Sequence, residues 1–161
     1  MTYYDTLAEG YDELHEAEQV AKLKIVLQHI TFTGKILDVG AGTCIVARYL
    51  GRNIEVVSVD PSENMLNKGI GERHVAQAEK LPLADNTFDG IISLTALHHC
   101  NLKQALLEIQ RVAKSKSILT LSFLKKSSKR KQFERLLQSS FGGYKKIEAN
   151  QDFIYLIKHS H

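Results

Sequence analysis

The sequence predicts a doubly wound α/β fold built on a mostly parallel sheet, and three observations carry that prediction. KILDV, IEVVSVD, FDGIISL and SILTLSF are rich in valine and isoleucine, have strand length and are apolar nearly throughout, as strands covered on both faces are. Segments of helical periodicity lie between them, giving the order β-α-β-α-β, a loop or short helix, then β-α-β, which right-handed crossovers join into one sheet. KKIEA and FIYLIKH, separated by Asn150, Gln151 and Asp152, read as a C-terminal antiparallel hairpin that brings the sheet to seven strands.

The elements follow in order. YDELHEAEQVAKLKIVLQHI is helical, with Leu23, Leu27 and Ile30 expected on its docking face. KILDV is the first strand and IEVVSVD the second. Ser62 caps the helix SENMLNKG, which Gly69 or Gly71 ends. HVAQAE, from His74, is the third strand and FDGIISL the fourth. In NLKQALLEIQRVAK, Asn101 is the N-cap, and Leu102, Leu106, Ile109 and Ala113 form one apolar stripe. SILTLSF is the fifth strand. The helix SKRKQFERLLQSSF buries Phe133, Leu136, Leu137 and Phe141 and stops at Gly142 and Gly143.

A chain of 161 residues with 43% hydrophobic and 24% charged residues fits one globular domain with a real core. The expected organisation is a helical cover over 1–34 and an α/β core over 35–161. No apolar run approaches the roughly 20 residues needed to span a bilayer, and the start of the chain is acidic rather than signal-like, so a cytoplasmic location is expected. Cys44 and Cys100 lack the spacing of a disulfide framework or zinc site, and no metal is expected. A net charge of +3 does not by itself indicate a nucleic-acid partner.

LDVGAGTC, Leu37 to Cys44, ends the first strand, where ligands of open α/β sheets bind. Gly40 and Gly42 let the backbone turn sharply and approach a ligand without an intervening side chain. The dinucleotide fingerprint G-x-G-x-x-G needs a third glycine where this chain has Ile45, so three readings compete: a damaged NAD site, a site for another nucleotide, or a tight turn. Asp38 suits a cationic or amine-bearing ligand better than a pyrophosphate. About twenty residues after the first glycine, Asp60 ends the second strand, from which a carboxylate can accept hydrogen bonds from both ribose hydroxyls. Ala78 and Glu79 after the third strand, and Asp89 at the start of the fourth, fall where a purine can be edged.

YYDTLAEGYDEL, ILDVGAGTC, VDPSENML, AEKLPLADNTFDGIISLTALHHC and LKQALLEIQRVAK resemble, in order and spacing, class I S-adenosylmethionine (SAM)-dependent methyltransferases of the ubiquinone/menaquinone methyltransferase-like branch. The resemblance spans most of Tyr3 to Phe123. It implies a Rossmann-like fold and a methyltransferase that leaves S-adenosylhomocysteine. It further implies that Gly40, Ala41 and Gly42 pack against the methionine part of the cofactor, with Asp38 fixing the loop or meeting the amino group through water. Asp60 would hold the ribose with Pro61 and Ser62 shaping the turn, Ala78 and Glu79 would contact adenine, and Leu94 and Thr95 would line the methyl side. Tyr4 and Tyr11 resemble tyrosines that close over the cofactor. Cys44 stands where many relatives carry a third glycine.

Methyl transfer needs an in-line nucleophile, and a general base only where the acceptor must lose a proton. His98 and His99 in LTALHHC follow the fourth strand and are the candidates to orient the acceptor or serve as base. Lys125, Lys126, Lys129, Arg130 and Lys131 cluster beside the same edge and could meet an RNA or another polyanion. RNA, protein and small-molecule acceptors all stay open. The alternative function is a SAM- or nucleotide-binding module without methyl transfer, or the partner subunit of a methyltransferase complex.

Overall fold

In the computed structural model, residues 3–160 are described, with side chains from Glu13 onward. Seven strands form one sheet: β1 (Lys35–Val39), β2 (Glu55–Asp60), β3 (Glu72–Val75), β4 (Phe88–Ser93), β5 (Ala113–Leu124), β6 (Lys145–Ala149) and β7 (Asp152–Lys158). Their spatial order is β3-β2-β1-β4-β5-β7-β6. β3, β2, β1, β4 and β5 run parallel, while β7 pairs antiparallel with both β5 and β6. The order reverses at β1 and β4, and the loops leaving their carboxyl ends open the crevice in which this architecture binds ligands.

The helices are α1 (Tyr3–His29), α2 (Ile45–Leu50), α3 (Glu63–Leu66), α4 (Leu102–Val112) and α5 (Arg130–Phe141). Caps form where local chemistry predicts them. The Ser62 side chain accepts from Met65 N at 3.3 Å, and Asn101 Oδ1 accepts from Gln104 N at 3.1 Å. Gly142 ends α5 in the left-handed region at φ 79°. One face of the sheet is covered by Leu102, Leu106 and Ile109 of α4 and Phe133 and Leu137 of α5, and the other by Leu23 and Val26 of α1 together with α2.

Several placements differ from expectation. Leu27 is exposed, and Val26 takes its place with Leu23 on the docking face of α1. α3 ends at Leu66, short of Gly69 and Gly71, because Arg73 Nη1 donates to the carbonyls of Leu66 and Gly69 at 2.8 Å each. β3 begins at Glu72 and stops at Val75, where β2 ends; Ala76 N donates to Asp60 O at 3.1 Å and the chain turns off the sheet. α4 stops at Val112: Asn86 N and Thr87 N take the carbonyls of Arg111 and Val112, so Ala113 joins β5 opposite Phe88.

α1 is pinned by a buried charge. Lys22, 7% exposed, pairs with Asp152, 1% exposed, at 3.4 Å and also donates to Thr95 Oγ1. Thr95 Oγ1 donates to Asp152 Oδ2 at 2.5 Å, and Thr95 N donates to Ser122 Oγ at 2.7 Å. The network joins α1 to the ends of β4, β5 and β7. Removing one partner of such a pair leaves the other charge buried and uncompensated. Lys22→Met is expected to cost about 3–5 kcal/mol in urea unfolding, with Lys22→Met/Asp152→Leu recovering more than half. Equal losses in the single and double variants would show that the pair contributes nothing specific.

Candidate functional site

The loop leaving β1 is built by backbone constraint. Gly40 and Gly42 hold φ of +74° and +57°, and a Cβ on Gly40 would lie 2.2 Å from the Ala96 side chain. Gly40 N and Ala41 N both donate to Val59 O, at 2.8 and 2.9 Å, tying the turn to β2. Cys44 holds φ +63° and is buried, so it follows the left-handed path a glycine would take more cheaply.

Asp60 organises the site electrostatically. Its Oδ2 accepts from Gly42 N at 2.9 Å and its Oδ1 from Ser62 N at 2.8 Å. One carboxylate thus closes both loops, and each oxygen keeps acceptor capacity toward the crevice.

A cavity of about 390 Å³ lies above these loops, lined by Gly40, Gly42, Asp60, Pro61, Ala78, Glu79, Leu94 and Thr95 among others. Ala76 and Gln77, which leave the end of β3, line it as well. Glu79 Oε2 accepts from Asn101 N at 3.1 Å, which orients it. Cys100 completes this wall, and burial, reinforced by Glu79, pushes its thiol up to about 11. An adjoining chamber of about 40 Å³ is lined by Asp38, Gly40, Ala41, Gly42 and Leu94. All the cofactor candidates with described side chains therefore face one or both of two connected spaces. The Tyr4 and Tyr11 side chains lie outside the described residues.

Burial, aided by the neighbouring Asp60, pushes the Asp38 carboxyl up to about 8. Such a group prefers to be neutral or to face a cation.

A third cavity, of about 620 Å³, is lined by Glu18, Lys22, Thr95, His98, His99 and Asp152 among others. His99 and Thr95 line both this space and the first, whereas His98 faces only this one. The two imidazoles lie 3.9 Å apart, centroid to centroid, and His98 Nδ1 is buried without a hydrogen-bond partner among the described residues. Burial, then the His99 ring, lowers the His98 pKa. Thr95, between the cavities, holds φ +54°, a conformation costing a β-branched residue about 1–2 kcal/mol. Lys22, Ser122 and Asp152 hold it there.

Asp89 does not join the site. It lies at the opposite end of the sheet, accepting from Lys35 N at 2.8 Å and from Lys114 Nζ at 3.3 Å. A strand's first residue and its neighbour's last point to opposite edges of a parallel sheet, which is why a purine-edging role fails for it. The basic cluster is partly committed internally. Lys125 pairs with Glu148 and Arg130 with Glu134, and both cations stand over the Phe153 ring. Lys129 Nζ donates to Cys100 O at 3.5 Å, while the side chains of Lys126 and Lys131 make no hydrogen bond or ion pair among the described residues.

Gln19, Lys22, Met65 and Asp152 border the cavities and were not indicated by motif. Lys22 alone left a trace, since it falls four residues before Val26 on the inward stripe of α1. Among the described residues, no group of three or more His, Cys, Asp or Glu could hold a metal ion, and no helix is long and apolar enough to cross a membrane.

A family model described as a methyltransferase domain matches residues 37–121. An uncharacterised protein of Methanocaldococcus jannaschii is 37% identical over 123 residues, which make up 72% of this chain and 48% of that protein. The demethylmenaquinone methyltransferase of Symbiobacterium thermophilum is 30% identical over 135 residues, 69% of this chain and 53% of that protein. The chain thus spans about half the length of these curated relatives. Among solved structures, a chain from the complex of the Haloferax volcanii Trm112 methyltransferase activator with a methyltransferase superposes with a TM-score of 0.78 at 15% identity, covering 96% of both chains. At that identity the likeness speaks for the fold.

The Asp38 carboxyl yields a stability prediction. Its folded pKa lies above its unfolded value, so the ligand-free protein loses stability as pH rises from about 4 to about 8. Asp38→Asn should raise the melting temperature of the ligand-free protein by an increment that grows over that window and levels off above it. An increment independent of pH would contradict the burial argument.

Proposed function

Because the chain belongs to the methyltransferase domain family, we propose that it binds SAM in the cavity above the glycine loop and methylates an acceptor held in the cavity beside it. The observation that carries this reading is Asp60, whose two oxygens are oriented by Gly42 N and Ser62 N and keep capacity for two vicinal hydroxyls. The fit extends to both ends of the cavity. Ala78 and Glu79 border one side as adenine contacts, and Asp38 with Gly40, Ala41 and Gly42 forms an acceptor-rich chamber suited to an ammonium. In this reading the whole chain is one SAM-binding domain, with 1–34 the helical cover of the core 35–161.

When bound, SAM supplies a sulfonium-activated methyl group, and its departure leaves S-adenosylhomocysteine. The protein's part is placement. Thr95 separates the two cavities, and its fixed left-handed backbone sets the line between donor and acceptor. His98, facing the acceptor cavity, would orient the nucleophile and, where that atom carries a proton, accept the proton at its imidazole. His99, reaching both cavities, packs between cofactor and acceptor. Lys126 and Lys131 remain available to an anionic acceptor such as RNA.

A second reading, a chain that needs a partner subunit for activity, is favoured by the likeness to a chain crystallised with a methyltransferase activator. Labelled-methyl transfer by the isolated chain into fractionated RNA, protein and small-molecule pools separates the two. Incorporation supports an autonomous enzyme, and SAM binding without incorporation supports the partner-dependent form.

Two outcomes test the site. Calorimetric titration should show binding of SAM and S-adenosylhomocysteine but not NAD, and Asp60→Ala should weaken SAM roughly tenfold or more through loss of a charged hydrogen bond; unchanged affinity would remove the ribose assignment. With an acceptor in hand that loses a proton, kcat/KM should rise with pH through a pKa below the ordinary histidine value near 6.5. That rise should disappear in His98→Gln, and its persistence would exclude His98 as the base.

A further inference from the structure

We infer that Gln19 of the N-terminal helix is a direct ligand of the cofactor's α-ammonium group, making α1 part of the cofactor site rather than only a cover. The inference rests on the reading that the cavity takes SAM. Gln19 Nε2 donates to the carbonyl of Leu94 at 2.9 Å. A main-chain carbonyl can only accept, so the amide nitrogen must face Leu94 and the amide oxygen must face away from it.

That oxygen is buried and has no hydrogen-bond partner among the described residues. Buried amide oxygens are ordinarily satisfied, so an orphan on a residue that lines a ligand cavity calls for a donor there. Gln19 lines both the large cavity and the 40 Å³ chamber, which it shares with Asp38 and Gly40 to Gly42. The chamber holds about one water or one ammonium head. A primary ammonium offers three donors and no acceptor, which matches an amide oxygen and a carboxylate. The buried Asp38 carboxyl, pushed toward neutrality in the ligand-free protein, is the counter-charge such a cation would restore.

The placement is rigid. One turn further along α1, Lys22 is fixed by Asp152 and Thr95, so the helix cannot slide without breaking a buried ion pair. Gln19 therefore sits pre-set at the junction between Leu94 and the glycine loop. Its amide nitrogen holds Leu94, and its oxygen is left for the ligand's donor.

The test compares two ligands that differ only in the amino-acid end. S-Adenosylhomocysteine carries it, and 5′-methylthioadenosine keeps the adenosine thioether without it. Calorimetric affinities are measured for the wild-type chain and for Gln19→Met, which keeps side-chain length and helix propensity. S-Adenosylhomocysteine should bind roughly tenfold more weakly to Gln19→Met, while 5′-methylthioadenosine should bind within about twofold of wild type. Equal losses for both ligands, or no loss for either, would overturn the inference and leave Gln19 as a tie between α1 and β4. If Gln19→Met does not fold, Gln19→Leu is read in the same way. If the wild-type chain binds neither ligand, the SAM reading itself fails and takes this inference with it; if it binds both and the variants discriminate nothing, the inference alone fails.

Discussion

The site depends first on one carboxylate. Asp60 ends β2 and reaches across to accept from Gly42 N while its other oxygen accepts from Ser62 N. The loops after β1 and β2 are thereby joined through one side chain, in addition to the bonds from Gly40 N and Ala41 N to Val59 O. Both bonds to the carboxylate come from backbone amides, so the loops are joined without a cationic side chain. The carboxylate's burden falls on Asp38, whose buried carboxyl is driven toward neutrality by desolvation and then by Asp60. A cation placed beside Asp38 would offset the cost of burying its charged form.

A second constraint joins the other half of the crevice. Lys22, Thr95, Ser122 and Asp152 come from α1, the end of β4, β5 and β7, and their hydrogen bonds hold Thr95 in a backbone region that a threonine does not choose. The strained residue lines both the cavity above the glycine loop and the cavity that His98 faces. Inserting β7 between β5 and β6 is what brings Asp152 to this point. A sheet that grew outward in chain order would leave Lys22 without its counter-ion.

What could be read in the sequence divides along the range of the interactions involved. Strands buried on both faces announce themselves as apolar runs, and Ser62 and Asn101 as caps, since each bonds an amide three residues on. That Gly40, Gly42, Asp60, Ala78, Glu79 and Leu94 line one cavity is legible because each ends or follows a strand and emerges at the same edge. Asp89 was misplaced by the same rule read from the wrong end of β4. Leu27 fits a helical stripe as well as Val26 does, and only the sheet's position decides between them. Ala113 continues the periodicity of α4 after Ile109, yet pairing with Phe88 draws it into β5. Lys22 and Asp152 are 130 residues apart, and no local pattern connects them. Gln19 was likewise silent, because its meaning lies in which atom is left without a partner.

The central claim is that two acids and the glycine loop form a receptor for a nucleoside carrying an amino-acid tail. Its most direct test is a crystal structure with S-adenosylhomocysteine bound. The account predicts both ribose hydroxyls within hydrogen-bond distance of Asp60, adenine beside Ala78 and Glu79, and the ammonium in the chamber between Asp38 and Gln19. Ligand density confined to the cavity around His98 and Asp152, or a nucleoside reversed so that adenine faces Asp38, would contradict it.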